Sequence, residues 1–188
     1  MTTRDRILDA AAELLWDRGY ASTSPRSIQE RAGVGQSSMY HHFAGKSELA
    51  AASLQRDGDR LRRSTAELLG RAESPVQAVL DYLTSPREEL RGCKLGRMTQ
   101  DPEVLANDDL RSPIAETLGF YQGRIAALLE AARRDGELIQ DFSPVDVAAT
   151  VVAIVQGAHV IARAEQSPEA FERVIQGGVQ MVTALRVK

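Results

Sequence analysis

Apolar side chains recur along the chain at intervals of three and four residues, the spacing that places them on one side of an α-helix. The first such stripe consists of Ile7, Leu8, Ala11, Leu14 and Leu15. Gly19 follows it, at the position where a glycine commonly ends a helix. No stretch alternates between apolar and polar residues as a half-buried strand would. The pattern therefore predicts an all-α protein of about nine helices.

Proline, serine and glycine mark where the other helices begin and end. Ser24 and Pro25 supply an N-cap and a first-turn proline for a second helix, which Gly33 ends. A third short helix is predicted over 36–43, and a fourth begins near Lys46 and continues for five or six turns. Beyond Gly70, Ser-Pro pairs and similar breaks predict helices over about 75–84, 86–100, 103–110, 113–135, 144–165 and 168–186.

Length and composition indicate a soluble globular protein with one domain, or one domain with a small appended module. The chain has 188 residues, of which 43% are hydrophobic and 26% charged, and these values exclude disorder. A single cysteine, Cys93, excludes an internal disulfide and a zinc cluster. The N-terminus lacks the apolar core of a signal peptide, which predicts a cytoplasmic protein. The apolar stretch 145–162 is interrupted by Asp146, Gln156 and His159, so we expect a buried helix rather than a membrane span.

Charge is unevenly distributed along the chain. The net charge is −3, but residues 1–65 hold ten basic and eight acidic side chains, whereas residues 66–188 hold thirteen and eighteen. This mild asymmetry is consistent with a small positive module on an acidic body.

Segment 23–43 predicts two short helices joined by a tight turn at Gly33. The apolar residues that could hold the pair together are Ile28, Ala32, Val34, Met39 and Phe43. The residues left to face outward are Gln36, Ser37, Ser38, Tyr40 and His42. This is helix-turn-helix geometry, in which the second helix enters the major groove of DNA. Short polar side chains suit base edges, and glutamine can form two hydrogen bonds with adenine.

The run Ala32-Gly-Val-Gly-Gln-Ser-Ser-Met-Tyr-His-His-Phe-Ala-Gly-Lys-Ser-Glu-Leu49 resembles the DNA-binding domain of the TetR family of transcriptional repressors. It contains a similar Ala-Gly-Val, Tyr-x-x-Phe and Lys-x-x-Leu series. The resemblance is close over about 4–52 and extends to the remainder by helix count and length. It implies base and phosphate contacts from Gln36, Ser37, Ser38, Tyr40 and His42, and phosphate contacts from Thr23, Arg26 and Lys46.

Two positions depart from the family pattern, and two others admit a different role. Gly35 replaces a common serine cap, which we expect to loosen the recognition helix, and Gln29 replaces a small alanine. Tyr40 could serve mainly in packing, and His41 is expected to pack between helices rather than touch DNA. The His41-His42 pair does not predict a metal site, because adjacent helical side chains point about 100° apart and no carboxylate is suitably spaced.

The resemblance divides the chain into a helix-turn-helix domain, 1–46, and a ligand-binding and dimerisation domain, 47–188. The last two predicted helices carry long apolar stripes, and Gly157, Gly177 and Gly178 would permit close helix approach. In the family the corresponding helices form a four-helix bundle with their symmetry mates. A palindromic operator needs two copies, so we expect a homodimer. The alternative is that these stripes only fill the core of one protomer.

Candidate effector-binding residues lie where similar proteins line their ligand cavity: Met98, Phe120, Tyr121, Gln156 and His159. Hydrogen bonds between helices would satisfy Gln156 and His159 equally well. Cys93 lies in a Gly-Cys-x-Leu-Gly string that resembles a TetR subgroup in which this cysteine sometimes senses electrophiles or oxidants. A predicted helix start and Lys94 would favour its thiolate. The alternative is a small core residue.

These features together predict a ligand-responsive repressor that binds a palindromic DNA operator as a homodimer. A small-molecule effector is expected, and no cofactor, metal, membrane partner or enzymatic activity. One alternative is a thiol-dependent enzyme or sensor that uses Cys93 without binding DNA. Such an enzyme needs a base, and the only plausible histidine, His159, is more than sixty residues away without a supporting motif. Another is a helical interaction module that has lost DNA binding.

Overall fold

Helices form nearly all the regular structure of residues 1–187, the part of the chain described by a computed structural model. The nine α-helices within it are α1 (Thr3–Arg18), α2 (Pro25–Ala32), α3 (Gln36–His42), α4 (Lys46–Leu69), α5 (Pro75–Thr84), α6 (Pro102–Leu105), α7 (Asp108–Arg134), α8 (Pro144–Glu165) and α9 (Pro168–Thr183). One 3-10 helix spans Gly96–Gln100, and Leu138 and Arg186 form an isolated antiparallel bridge. The predicted all-α class is confirmed.

Serine-proline pairs begin four of these helices as predicted. In each, the serine hydroxyl oxygen accepts a hydrogen bond from the backbone N–H three residues later, and proline occupies the first turn. The four capping serines are Ser24, Ser74, Ser143 and Ser167. The predicted glycine ends of the first two helices are also present, because Gly19 has φ +81° and Gly33 has φ +62°.

The predicted helix over 86–100 is wrong, since only Gly96–Gln100 is helical there, as a 3-10 turn. Ser85 precedes a proline and has the extended backbone that proline favours. The Arg87 guanidinium then donates to the carbonyls of Leu83 and Ser85. These bonds satisfy carbonyl groups at the end of α5 and hold the following residues in a loop.

The predicted separate helices over 103–110 and 113–135 are also wrong. The structure has the short α6 and then a continuous α7 that contains Pro113. Asn107 explains the difference, because its Oδ1 accepts the N–H of Asp109 at 3.0 Å and so caps α7 five residues earlier than expected. Pro113 removes one backbone donor early in a 27-residue helix, a local loss that the rest of the helix outweighs.

The chain forms two compact units, whose boundaries along the sequence fall within α4, within α7 and after Cys93. Unit 1 comprises Met1–Arg60 and Lys94–Thr117. Its largest buried cluster joins the first three helices and the start of α4, and consists of Ile7, Leu8, Ala10, Ala11, Leu14, Ile28, Ala32, Met39, Phe43 and Leu49. Because α2 and α3 are short, this shared core with α1 provides most of their stability.

Unit 2 comprises Leu61–Cys93 and Leu118–Lys188. Its core includes residues from α5, α7, α8 and α9, among them Val79, Leu83, Ile125, Leu129, Val151, Val155, Phe171 and Ile175. Part of the apolar stripe on each of the last two helices therefore fills this core. By length and composition alone, α8 would be able to cross a membrane, a test that core helices of soluble proteins also pass.

Candidate nucleic-acid interface

The helix-turn-helix consists of α2, a glycine turn and α3. Gly33 adopts the left-handed conformation that ends α2, and the N–H of Val34 bonds to the carbonyl of Gln29 at 3.1 Å. Ile28 and Met39 are buried between the helices and α1. The Gln29 amide lies 3.7 Å from the Met39 sulfur, so the larger residue at this position contacts α3 directly.

An arginine from α1 holds the turn, a contact that the sequence analysis missed. Arg6 Nη2 donates to the carbonyl of Ala32 at 2.6 Å and to that of Gly33 at 2.8 Å. Arg4 lies on the same helix, and its guanidinium is 5.2 Å from the centre of the Phe43 ring. A charged residue beside an apolar stripe usually faces solvent, so no local sequence signal distinguishes this role.

Helix α3 presents a polar surface opposite its buried side. Met39 and Phe43 are almost fully buried, whereas Tyr40 is 44% exposed. Gln36 and Ser37 are also exposed, and Ser38 and His42 are half-buried. The prediction that His41 packs between helices is wrong, because His41 is exposed. Its position is nearly opposite Met39 and Phe43 around the helix, since each residue turns by about 100°.

The first turn of α3 lacks a side-chain cap. Gly35 occupies the N-cap position. The first backbone hydrogen bond of the helix runs from the N–H of Met39 to the Gly35 carbonyl. The backbone N–H groups of Gln36, Ser37 and Ser38 come before this bond in the chain and have no acceptor within the helix. Such groups at the start of a helix can donate to phosphate.

The three flanking residues predicted to contact phosphate lie in different surroundings. Thr23 is 1% exposed, and its hydroxyl donates to the Gly19 carbonyl at 2.7 Å, which shapes the turn before α2. Arg26 is exposed and pairs with Glu30. Lys46 begins α4, and its ammonium lies 4.0 Å from the centre of the Tyr20 ring. In this conformation Arg26 and Lys46 offer charge at the surface, whereas the Thr23 hydroxyl hydrogen is already used.

A segment distant in sequence, residues 94–107, packs against α1 and the loop before α2 within unit 1. The Lys94 ammonium lies 4.6 Å from the Trp16 ring and 3.4 Å from a Glu13 carboxylate oxygen. Asp101 Oδ2 accepts the N–H of Ala21 at 2.8 Å, in the loop that leads to α2. These contacts join residues about eighty positions apart, beyond the reach of a periodicity argument.

A group of charged residues connects α1 and α4 in unit 1. Arg56 donates to Asp9 at 2.7 Å, and Arg60 lies 3.7 Å from the same carboxylate. Asp57 is buried beside them, and burial raises its pKa although Lys94 opposes that shift. The desolvation of this carboxylate therefore exceeds its attraction to the neighbouring cations.

The predicted effector residues do not all belong to one unit. Met98 is buried in unit 1, whereas Cys93, Phe120, Tyr121, Gln156 and His159 belong to unit 2. Tyr121 is buried, its hydroxyl is hydrogen-bonded to Thr65, and burial raises its pKa to about 12. The Phe120 ring is 6.3 Å from the Tyr121 ring, and Phe120 and Gln156 are half-buried.

Cys93 lies in a loop rather than at a helix start. It is half-buried, and the 3-10 helix begins only at Gly96. The neighbouring Lys94 directs its charge to Glu13. Cys93 therefore lies neither at a helix N-terminus nor beside an unpaired lysine.

His159 connects α8 to the loop after α5. It is 6% exposed, its Nδ1 lies 3.1 Å from the Glu89 carbonyl oxygen, and its ring centre is 4.8 Å from that of Phe171. Burial lowers the pKa of His159, and the nearby Arg87 and Arg163 also lower it, although the Glu89 carbonyl opposes the shift. The ring is neutral at pH 7, hydrogen-bonded to the loop after α5 and packed against Phe171.

This environment predicts a stability that depends on pH through His159. In the unfolded chain the imidazole binds a proton near pH 6.5, whereas the folded protein resists that protonation. The unfolded state therefore binds more protons below neutrality, and the free energy of unfolding should decrease as the pH falls from about 7 to 5. Urea unfolding across this range would measure the decrease. A His159→Asn variant, whose amide can still donate to Glu89, should show a smaller decrease, and an identical one would contradict the prediction.

Two family models match most of the chain. Residues 7–53 match bacterial regulatory proteins of the tetR family, and residues 69–177 match the tetracyclin repressor-like C-terminal domain. An uncharacterized HTH-type transcriptional regulator in the lacX 3′ region of Lactococcus lactis is 25% identical over 177 residues, which cover 90% of this chain and 88% of that protein. The transcriptional regulator AcuR of Cereibacter sphaeroides is 28% identical over 170 residues, or 87% of this chain and 77% of AcuR.

Solved structures share the fold over nearly the whole length. The reduced form of NemR from E. coli is 22% identical with a TM-score of 0.86, covering 100% of this chain and 98% of NemR. A TetR-family regulator from Cytophaga hutchinsonii is 20% identical with a TM-score of 0.88, covering 99% and 96%. The family matches include the helix-turn-helix and most of the helices that follow it, and the chain therefore belongs to the TetR family of transcriptional regulators.

Proposed function

We propose that this regulator is a cytoplasmic, ligand-responsive repressor that binds a palindromic operator in double-stranded DNA as a homodimer. The exposed polar side of α3 is the observation that carries the proposal. Gln36, Ser37 and Tyr40 are open to solvent, while Met39 and Phe43 anchor the opposite side in the core of unit 1. A recognition helix needs this combination of a rigid inner side and a polar outer side.

Individual contacts follow from this orientation. Gln36 would contact a base edge in the major groove. Ser37, Ser38, Tyr40 and His42 would contact bases and phosphates along α3. Arg26 and Lys46 would contact phosphates, and these contacts would set the register on the duplex. Thr23 would do so only if its hydroxyl gave up the bond to the Gly19 carbonyl.

Dimerisation is supported by apolar residues that unit 2 leaves exposed on α8 and α9. Val160 is 62% exposed, Ile161 40% and Met181 58%. Ala153 and Gly157 lie on the same side of α8 as Val160, and small residues of this kind allow helices to approach closely. Helices α8 and α9 pack against each other, and large apolar residues left exposed on adjoining helices are common at protein interfaces. We assign the interface and effector binding to residues 47–188.

Effector binding would change DNA affinity through a two-state equilibrium. An effector that binds one conformation more tightly shifts the population toward it, by at most its difference in affinity for the two. The proposed effector residues are unchanged: Cys93, Met98, Phe120, Tyr121, Gln156 and His159. For Cys93 two roles stay open, a sensor of the Gly-Cys-x-Leu-Gly type and a small core residue, and its position in a half-buried loop favours the second. The thiol-enzyme alternative is disfavoured, because the family models that match the chain are those of transcriptional regulators.

Selection of bound duplexes from a pool of random DNA sequence tests the proposed function. We expect enrichment of a two-fold symmetric site whose half-sites are separated by about one helical turn or a multiple of it. Failure to enrich any sequence would contradict DNA recognition. Enrichment of a site without symmetry would contradict recognition by a homodimer.

Gln36 and Lys46 should differ in how they affect binding to the selected duplex. Gln36→Ala should relax preference at one base position, by about 1–3 kcal/mol, since it removes a base contact. Lys46→Ala should weaken binding to all sequences and reduce the salt slope by about one charge. Titrations of single-base variants at several salt concentrations measure both effects. An equal loss on every sequence after Gln36→Ala would remove Gln36 from base recognition.

A further inference from the structure

We propose that Arg6 is a positioning residue for DNA recognition, which holds α3 in place through the carbonyl groups of the turn before it. The inference rests on the proposed function. Arg6 lies one residue before the buried Ile7, so its backbone is anchored by the core of unit 1. Its half-buried side chain reaches from α1 to two consecutive carbonyls, those of Ala32 and Gly33.

These two carbonyls receive their hydrogen bonds from outside the turn. The backbone bonds that close α2 end on the carbonyls of Gln29 and Glu30, whereas those of Ala32 and Gly33 accept from Arg6. The end of a helix has unsatisfied carbonyls and a partial negative charge, and a cation there is favourable. A guanidinium nitrogen that donates to both oxygens forms charge-assisted bonds, which are stronger than neutral ones.

The orientation of α3 depends on this turn because the helix has few other supports. It is seven residues long and begins at Gly35, which provides no side-chain cap. A helix of this length has little stability of its own. Met39 and Phe43 fix its buried side, and the conformation of residues 32–35 sets where its first turn points. That first turn contains Gln36 and Ser37, the proposed DNA contacts.

A positioning role can be separated from a direct phosphate contact. A phosphate contact contributes about one charge to the salt dependence of DNA binding, whereas a residue that acts through the turn leaves that slope unchanged. Hydrogen exchange in the absence of DNA reports the turn directly, because local opening exposes its amides. The second measurement does not depend on whether the protein binds any operator.

The experiment compares Arg6→Met with Arg18→Met. Both remove one positive charge from α1, but Arg18 is an exposed residue in its last turn. For Arg6→Met we expect about tenfold weaker binding to the selected duplex, with an unchanged salt slope. Amides of residues 33–43 should exchange faster while those of α4 do not. Arg6→Lys retains a donor, so its affinity and exchange rates should lie between those of wild type and Arg6→Met. Arg18→Met should have the exchange rates of wild type.

Three outcomes would overturn the proposal. Unchanged exchange at residues 33–43 would show that Arg6 does not hold the turn. A salt slope lower by one charge would make Arg6 a phosphate contact. Faster exchange throughout unit 1, in both Arg6 variants, would make it a general stabilising residue. Failure of wild type to select any duplex would contradict the proposed function instead, and the exchange comparison would still decide whether Arg6 holds the turn.

Discussion

Replacing Val160 by glutamate is expected to convert the protein to monomers and to weaken operator binding by about 10²- to 10⁴-fold, the usual contribution of linking two binding modules. Val160 is 62% exposed in unit 2, so a single protomer tolerates a charge there. In the proposed dimer the same charge would be buried without a partner, which is costly. Sedimentation would measure the oligomeric state, and titration of the selected duplex the affinity.

Leu105→Glu is the matched control for this variant. Leu105 is a 45% exposed apolar residue in α6, in unit 1, and the same charge there should leave the dimer intact. Thermal unfolding should show that the Val160→Glu protomer remains folded. By contrast Ile175 is 4% exposed in the core of unit 2, so a charge there would unfold the protein without testing the interface. An unchanged dimer after Val160→Glu would remove this side of α8 from the interface.

Gly33→Ala is expected to lower both stability and operator affinity. Gly33 has φ +62°, where a residue with a Cβ costs roughly 1–2 kcal/mol. The added Cβ would also lie 3.1 Å from Arg6 Nη2, so the guanidinium would have to shift by a few tenths of an ångström. Because both effects act on the residues before α3, we expect at least about tenfold weaker binding to the selected duplex, the equivalent of about 1.4 kcal/mol.

Gly45→Ala is the control for the glycine substitution. A Cβ at Gly45 meets no atom within 4 Å, and the backbone there does not have a positive φ. Its binding and melting temperature should therefore stay close to those of wild type. Equal effects of the two substitutions would contradict the assignment of the Gly33 effect to its conformation. Wild-type affinity after Gly33→Ala would show that the turn tolerates displacement of Arg6.

Helix starts were predictable where a few neighbouring residues determine them. Ser24, Ser74, Ser143 and Ser167 each cap a helix through the N–H three residues later, an interaction contained within one turn. Where two local signals competed, the prediction failed. The Asn107 cap begins α7 ahead of Pro113, and the loop held by Arg87 replaces the helix expected after Ser85.

The polar side of α3 was largely predictable because it depends on the spacing of Met39 and Phe43. His41 was the exception: although that spacing places it opposite the core, it was expected to pack. For Cys93, the expected helix start is absent and Lys94 is paired with Glu13. Its surroundings depended on a distant segment of the chain.

The sequence by itself determined the helical class, most helix boundaries, the glycine turn and the outward-facing residues of α3, since each follows from interactions among residues within a few positions of one another. The tertiary structure alone decided which side chains hold those elements in place. Three hydrogen bonds illustrate this, and each joins residues 26 to 80 positions apart: Arg6 with Ala32, Asp101 with Ala21, and His159 with Glu89. Such pairs form only when packing brings distant segments together, so they cannot be predicted from a pattern among neighbouring residues.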